Sequence, residues 1–334
     1  MRLMITICIT MFAVLLSAQI EPPQTHAAIM LDAKFYHGDR ANDGNYDFSN
    51  RFQVRKAEIS FEGELERFEY AAALGMCTCS GNAAMVDIQE AEIMYNLLDC
   101  AKIGIRKGHV LRGFASTTEC QGLLASEKPN HSMTFGTCHP IGVALETYHE
   151  LSHNMALETE LGFFNGGNST LDNEHEVNLG VIFQTPLPGL SAIGVYNHAN
   201  RKYFDPSFNQ YSENGYRWAA GLEYVANSLW IASEFHRGKG FERDDQEMEA
   251  WYAQAGYDIG TGLKCLPTIQ PYVYFENWNK DVANDANYKF FEAGMNFKTS
   301  ANSMLRFAYK SMIEKPAGGV ADPDQILARI QVAL

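Results

Sequence analysis

From Ile29 to the C-terminus the chain alternates apolar with polar or small residues, in runs separated by polar, glycine-bearing connections. In Ile29–Tyr36, Leu31, Ala33 and Phe35 share one face while Asp32 and Lys34 share the other. The same reading puts Trp251, Ala253, Ala255 and Tyr257 opposite Gln254, Gly256 and Asp258, and Phe291, Ala293, Met295 and Phe297 opposite Glu292, Gly294 and Asn296. A period of two is the period of a strand with two unlike faces. Runs of roughly nine to twelve residues have the length of strands that cross a bilayer at a tilt. Sixteen such runs can be counted, the first at Ile29–Tyr36, the twelfth at Glu249–Ile259 and the last at Gln325–Leu334.

The connections alternate in length. Tight turns are expected near Glu66-Arg67, Leu98-Asp99, Ser152-His153, Pro186–Gly189, Asn227, Thr261-Gly262 and Ala301-Asn302. Between them lie longer polar loops, such as Gly38–Asn50, Gly166–His175, Arg201–Gly215, Gly238–Met248 and Ile313–Asp324. Short turns on one rim and long loops on the other are the pattern of an outer-membrane barrel. One connection stands apart: Leu111–Pro140, between the strands Ala101–Val110 and Ile141–Glu150, is third on the long-loop side. A loop of that length inside a compact fold is usually either functional or a sign that the elements are misassigned. This one is expected to fold into the lumen and narrow it.

The fold expectation is therefore an all-β, sixteen-stranded antiparallel transmembrane barrel over residues 29–334, with its third long loop turned inward. Apolar faces meet lipid, and small and charged residues line a wet interior. Aromatics such as Trp218, Tyr224, Trp251 and Tyr257 stand near the ends of the apolar stripes, as interfacial girdles require.

Composition narrows the class. Met1-Arg2, an apolar core from Leu3 to Leu16 and then Ser17-Ala18 read as a secretory signal over residues 1–18, with a second small-residue cleavage site at Ala27. The apolar core is shorter than a spanning helix needs. A net charge of −14 argues against nucleic acid as a partner. Six of the seven cysteines lie beyond the signal, which agrees with export. Cys77-Thr78-Cys79, Cys120 and Cys138 lack compact metal-ligand spacing, so no metal or other cofactor is expected. A bridge from Cys120 to Cys138, or from this loop to Cys77 or Cys79, is the preferred use; sequence leaves the pairing open. No G-x-S-x-G or comparable signature points to catalysis.

Three segments carry a family resemblance: VRKAEISFEGEL at Val54–Leu65, VDIQEAEIMYNL at Val86–Leu97, and KIGIRKGHVLRGFASTTECQGLLASEK at Lys102–Lys128. In order and together they resemble the second strand, fourth strand, and fifth strand with third loop of the phosphate-selective porins O and P. The resemblance implies a homotrimeric sixteen-stranded barrel in the outer membrane of a Gram-negative bacterium. Its partners would be outer-membrane lipid, the barrel-assembly machinery during biogenesis, and inorganic ions and small solutes. Glu58 and His109 stand where that family usually carries further basic residues.

Strand parity then predicts the lumen chemistry. It puts Lys34, Lys56, Lys102, Arg106, Arg217, Arg306, Lys310 and Arg329 on the inward wall, and the resemblance adds Arg112 and Lys128 of the third loop to these pore-lining, anion-handling basic residues. Glu90, Glu92, Glu146, Glu158 and Glu160 form an opposing acidic wall, and Glu58, Glu62, Glu69, Glu223, Glu234, Asp258, Glu276 and Glu292 add inward carboxylates. The expected function is passive diffusion of ions and small hydrophilic solutes through a charged, water-filled pore. An anion- or phosphate-selective channel and a structural or surface-adhesive barrel are the alternatives.

Overall fold

The computed structural model describes residues 23–37, 51–77, 86–118, 122–134, 140–165, 175–204, 210–239, 246–300, 303–316 and 324–334. Its strands are β1 (Gln24–His37), β2 (Arg51–Leu65), β3 (Phe68–Cys77), β4 (Asp87–Leu98), β5 (Ala101–Lys107), β6 (Ile141–Ser152), β7 (Met155–Phe164), β8 (His175–Gln184) and β9 (Leu190–Phe204). They continue with β10 (Gln210–Ala226), β11 (Leu229–Lys239), β12 (Glu247–Tyr257), β13 (Ile259–Leu263), β14 (Leu266–Asn279), β15 (Asn287–Lys298), β16 (Met304–Glu314) and β17 (Asp324–Ala333). Apart from β12 and β13, which both pair with β14, each pairs antiparallel with its sequence neighbours, and β1 closes the ring by pairing with both β2 and β17.

The segments β12 and β13 are one stave. Gly256↔Tyr272 and Ile259↔Ile269 belong to a single unshifted register with β14, so sixteen staves close the barrel, as the alternation predicts. Continuing that register places Pro271 opposite Tyr257, at the break. Proline has no N–H for the ladder, which accounts for the interruption there. The turn that follows is at Lys264-Cys265, a little beyond the expected Thr261-Gly262. The expected loop Arg201–Gly215 is mostly strand, because β9 and β10 pair from Phe204↔Gln210 downward. The stretch is polar, and sequence reads such a stretch as loop.

The molecule is inside-out relative to a soluble sandwich. Ile29, Leu31, Phe35, Phe307, Ile326, Ile330 and Val332 are exposed on the outer face, while Asp32, Arg217, Glu276, Glu292, Arg306 and Arg329 are buried within. Cross-strand aromatic pairs, Trp218 with Phe235 and Trp251 with Phe275, both at 5.1 Å between centroids, join the outward stripe. No helix of the described residues is long and apolar enough to cross a membrane.

Candidate functional site

The loop after β5 enters the lumen. Its described part carries two short helices, Phe114–Thr117 and Asn130–Thr134, and its backbone is held by inward side chains from around the barrel. Three wall glutamates do most of this, each paired with a tyrosine. Glu234 on β11 accepts from the backbone N–H groups of Phe114 and Ala115, both at 2.9 Å, and from the Tyr252 hydroxyl. Glu276 on β14 accepts from the N–H groups of Asn130 at 3.1 Å and His131 at 3.0 Å, from the Asn130 amide at 2.8 Å, and from the Tyr274 hydroxyl at 2.8 Å. His131 Nδ1 also lies 2.8 Å from this carboxylate. Glu292 on β15 accepts from Ser126 N at 2.8 Å, Ser126 Oγ at 2.6 Å and Tyr272 OH at 2.6 Å. The first two sit at helix starts, where backbone donors have no partner within the helix.

Two arginines complement them by donating to loop carbonyls. Arg306 on β16 reaches Leu123 O at 2.6 Å and Ala125 O, and Arg329 on β17 reaches Ser126 O while pairing with Asp32 at 2.6 Å. Near the loop's start, Leu111 N donates to Glu160 at 3.1 Å and Arg112 pairs with Glu176. Apolar contacts lie between these polar ones. Leu111 and Phe114 pack on Ile193, Val195 and Ala219, while Leu124 and Ala125 pack among Tyr252, Tyr272 and Tyr274. Two wall glycines make room for the leucines: a Cβ at Gly180 would lie 2.6 Å from Leu111 Cγ, and one at Gly256 2.7 Å from Leu124 Cδ1.

The remaining predicted residues fall into local pairs. Arg106 sits among carboxylates of adjacent strands, bound to Glu146 and Glu160 and 3.6 Å from Glu92, so the acidic wall surrounds this arginine instead of facing it across the lumen. Lys34 and Lys310 converge on Glu127 of the loop, at 2.7 and 3.8 Å. Burial alone would raise the Glu127 carboxyl, but Lys34, Lys310 and Arg55 together hold it well below the usual carboxylate range. Lys56 pairs with Glu58 at 2.8 Å, Lys102 with Glu69 at 2.6 Å, and Lys128 donates to Ser116 O at 2.8 Å. Glu90 and Glu158 stand on β4 and β7; Cys120 and Cys138 lie outside the described residues. The described Cys100 and Cys265 are free thiols.

Alternation misses Arg55. The β1–β2 register steps from Met30↔Lys56 to Leu31↔Val54, leaving Arg55 as the extra residue of a bulge. A bulge lets two successive residues share a face. Arg55 and Lys56 are accordingly both buried. A second register step leaves Gln89 extra between Glu90 and Ile88, again with its side chain buried. No local signal in either stretch marks the bulge.

No family model matches the chain, and none of the curated proteins does. Solved structures do match. The chain superposes on OmpF of Salmonella typhi, in complex with daunomycin, with a TM-score of 0.64 over 93% of this chain and 97% of that one at 13% identity. For the trimer form of OmpT, an outer membrane protein of Vibrio cholerae, the TM-score is 0.62 over 93% and 99% at 8% identity. For the outer membrane channel DcaP of Acinetobacter baumannii it is 0.57 over 93% and 97% at 11% identity. A closed sixteen-stave antiparallel barrel, apolar outside and polar within, crossed by a loop pinned to its inner wall, gives this chain the fold of the outer-membrane porins.

Proposed function

We propose that the chain is an outer-membrane porin that lets ions and small hydrophilic solutes diffuse through a water-filled lumen narrowed by the loop Leu111–Pro140. The observation that carries this reading is the loop's seating. Wall residues from β7 round to β1 hold its described part, whereas inward residues of β2 to β6 such as Glu58, Ser60, Glu92 and Glu146 stay partly exposed. A passage between the loop and the β2–β6 wall follows. The trimer form of the Vibrio cholerae neighbour supports a homotrimer, and the outward apolar stripe suits outer-membrane lipid.

Phosphate selectivity would need several guanidinium or ammonium groups converging on one anion. Of the residues that the resemblance marks, Lys56, Arg106 and Arg112 already hold carboxylates and Lys128 holds a carbonyl, so an anion would have to displace partners. A general diffusion pore therefore fits better than a phosphate filter. Reconstitution in planar bilayers should give stable conductance steps, and proteoliposomes should swell in small sugars and resist larger ones. A protein that inserts as a heat-modifiable barrel yet passes neither current nor sugar would sink the porin reading and favour a structural barrel.

A further inference from the structure

The charges of the lumen differ in how they meet water. In two groups of ion pairs the base is sunk and an acid is more exposed: the Arg106 side chain is 7% exposed, against 34% for Glu146 and 23% for Glu92, while its third partner Glu160 is buried with it at 6%. Lys34 is 6% exposed and its partner Glu127 23%. The arginines toward the short-turn end, Arg306 and Arg329, are each 1% exposed beneath the loop. Their charge is matched by loop carbonyls, Asp32 and the neighbouring Glu292. Burial and pairing thus screen these bases from the passage; Lys102, 41% exposed against 30% for its partner Glu69, is the exception.

Cavities on the short-turn side of the lumen show the same asymmetry independently. One, of about 290 Å³, runs between the inward faces of β1 to β4 and Gly122 of the loop, and Glu58, Glu62 and Glu90 line it. Another, of about 800 Å³, opens inside the turns that follow β6 and β8, and Glu150 and Glu223 line it. Among the described residues neither has a lysine or arginine in its lining. The lysines that face inward in this half are engaged, Lys102 by Glu69 at 2.6 Å and Lys298 by Asp258 at 2.9 Å.

We propose that the short-turn half of the lumen is a cation-concentrating vestibule, and that the channel passes small inorganic and amine cations in preference to anions. Carboxylate rings in a pore favour cations, and a cleft lined by one sign of charge with low-dielectric walls focuses its field on the solution inside. The inference rests on the channel reading. It departs from the anion chemistry that the family resemblance implies.

Reversal potentials in a tenfold potassium chloride gradient at neutral pH test it. Potassium should be preferred over chloride about threefold or more. The preference should fade as the dilute side is raised from 0.1 M toward 1 M, where the Debye length falls from about 10 to about 3 Å. The variant Glu90→Gln/Glu150→Gln/Glu223→Gln should lose at least half of the preference while still conducting. If that variant does not fold, the wild-type salt series decides alone. Chloride preference, or none, in a conducting wild type overturns the vestibule and leaves the channel reading standing. Absence of current overturns both.

Discussion

Glu276→Ala removes the anchor of the loop's second helix. The carboxylate is fully buried and accepts from two backbone N–H groups, the Asn130 amide and the Tyr274 hydroxyl, with the His131 ring also against it. A hydrogen bond to a charged group contributes about 1.5–3 kcal/mol. Such bonds do not add when they share one acceptor, and the donors can rehydrate in a lumen that holds water. Breaking a buried charged network by removing one partner costs about 3–5 kcal/mol, which sets the scale. At about 1.4 kcal/mol per factor of ten, a loss of 3 kcal/mol multiplies the detached population of this arm roughly a hundredfold. The barrel ladders do not involve the Glu276 side chain, so heat modifiability and strand content should persist. Single-channel records should show larger, noisier conductance, and a protease added to the long-loop side should cleave within Leu123–Thr134. Glu276→Gln keeps one acceptor oxygen and should fall between. Wild-type conductance, noise and protease resistance in Glu276→Ala would refute the view that this carboxylate holds the loop.

Three further outcomes follow from the same geometry. Because Glu127 is held below its ordinary range, its contribution to loop docking is complete above about pH 4.5. That contribution is lost as pH falls through the lowered value, so conductance should be steady from pH 7 to 5 and become noisy only at stronger acidity, and Glu127→Gln should be noisy throughout. Gly256→Val should push Leu124 from its socket and raise conductance without unfolding the barrel, whereas Gly194→Ala, with open space around its Cβ position, should behave as wild type in the same bilayer assay. Gln24–Ala27 pair with Ile59–Glu62, and Ala27 exchanges backbone hydrogen bonds with Leu334. The mature chain is expected to begin at or upstream of Gln24, and N-terminal sequencing that found Ala28 first would contradict this.

The alternation of side chains was enough to determine the barrel. Two-residue periodicity is a local property, and so is the contrast of short and long connections. The number of staves, the outward apolar face and the inward acidic and basic residues could therefore be read from residues a few positions apart. The exceptional length of Leu111–Pro140 likewise marked the loop that enters the lumen. Parity also identified Glu234, Glu276 and Glu292 as inward, but took them for water-facing charge.

What each charge does was decided only by the closed structure. Ser126 and Glu292, or Arg306 and Leu123, are far apart in sequence and meet because the sheet closes and the loop crosses it. Wall glutamates became partners for loop N–H groups because those donors leave water together and need an acceptor. Arg106 joined the acidic strands because β4 to β7 are neighbours in the sheet, and Arg55 turned inward because a bulge reset the parity of β2. Alternation says which face a side chain takes; the partner it finds there depends on strand register and on the loop's path, which are properties of the whole ring.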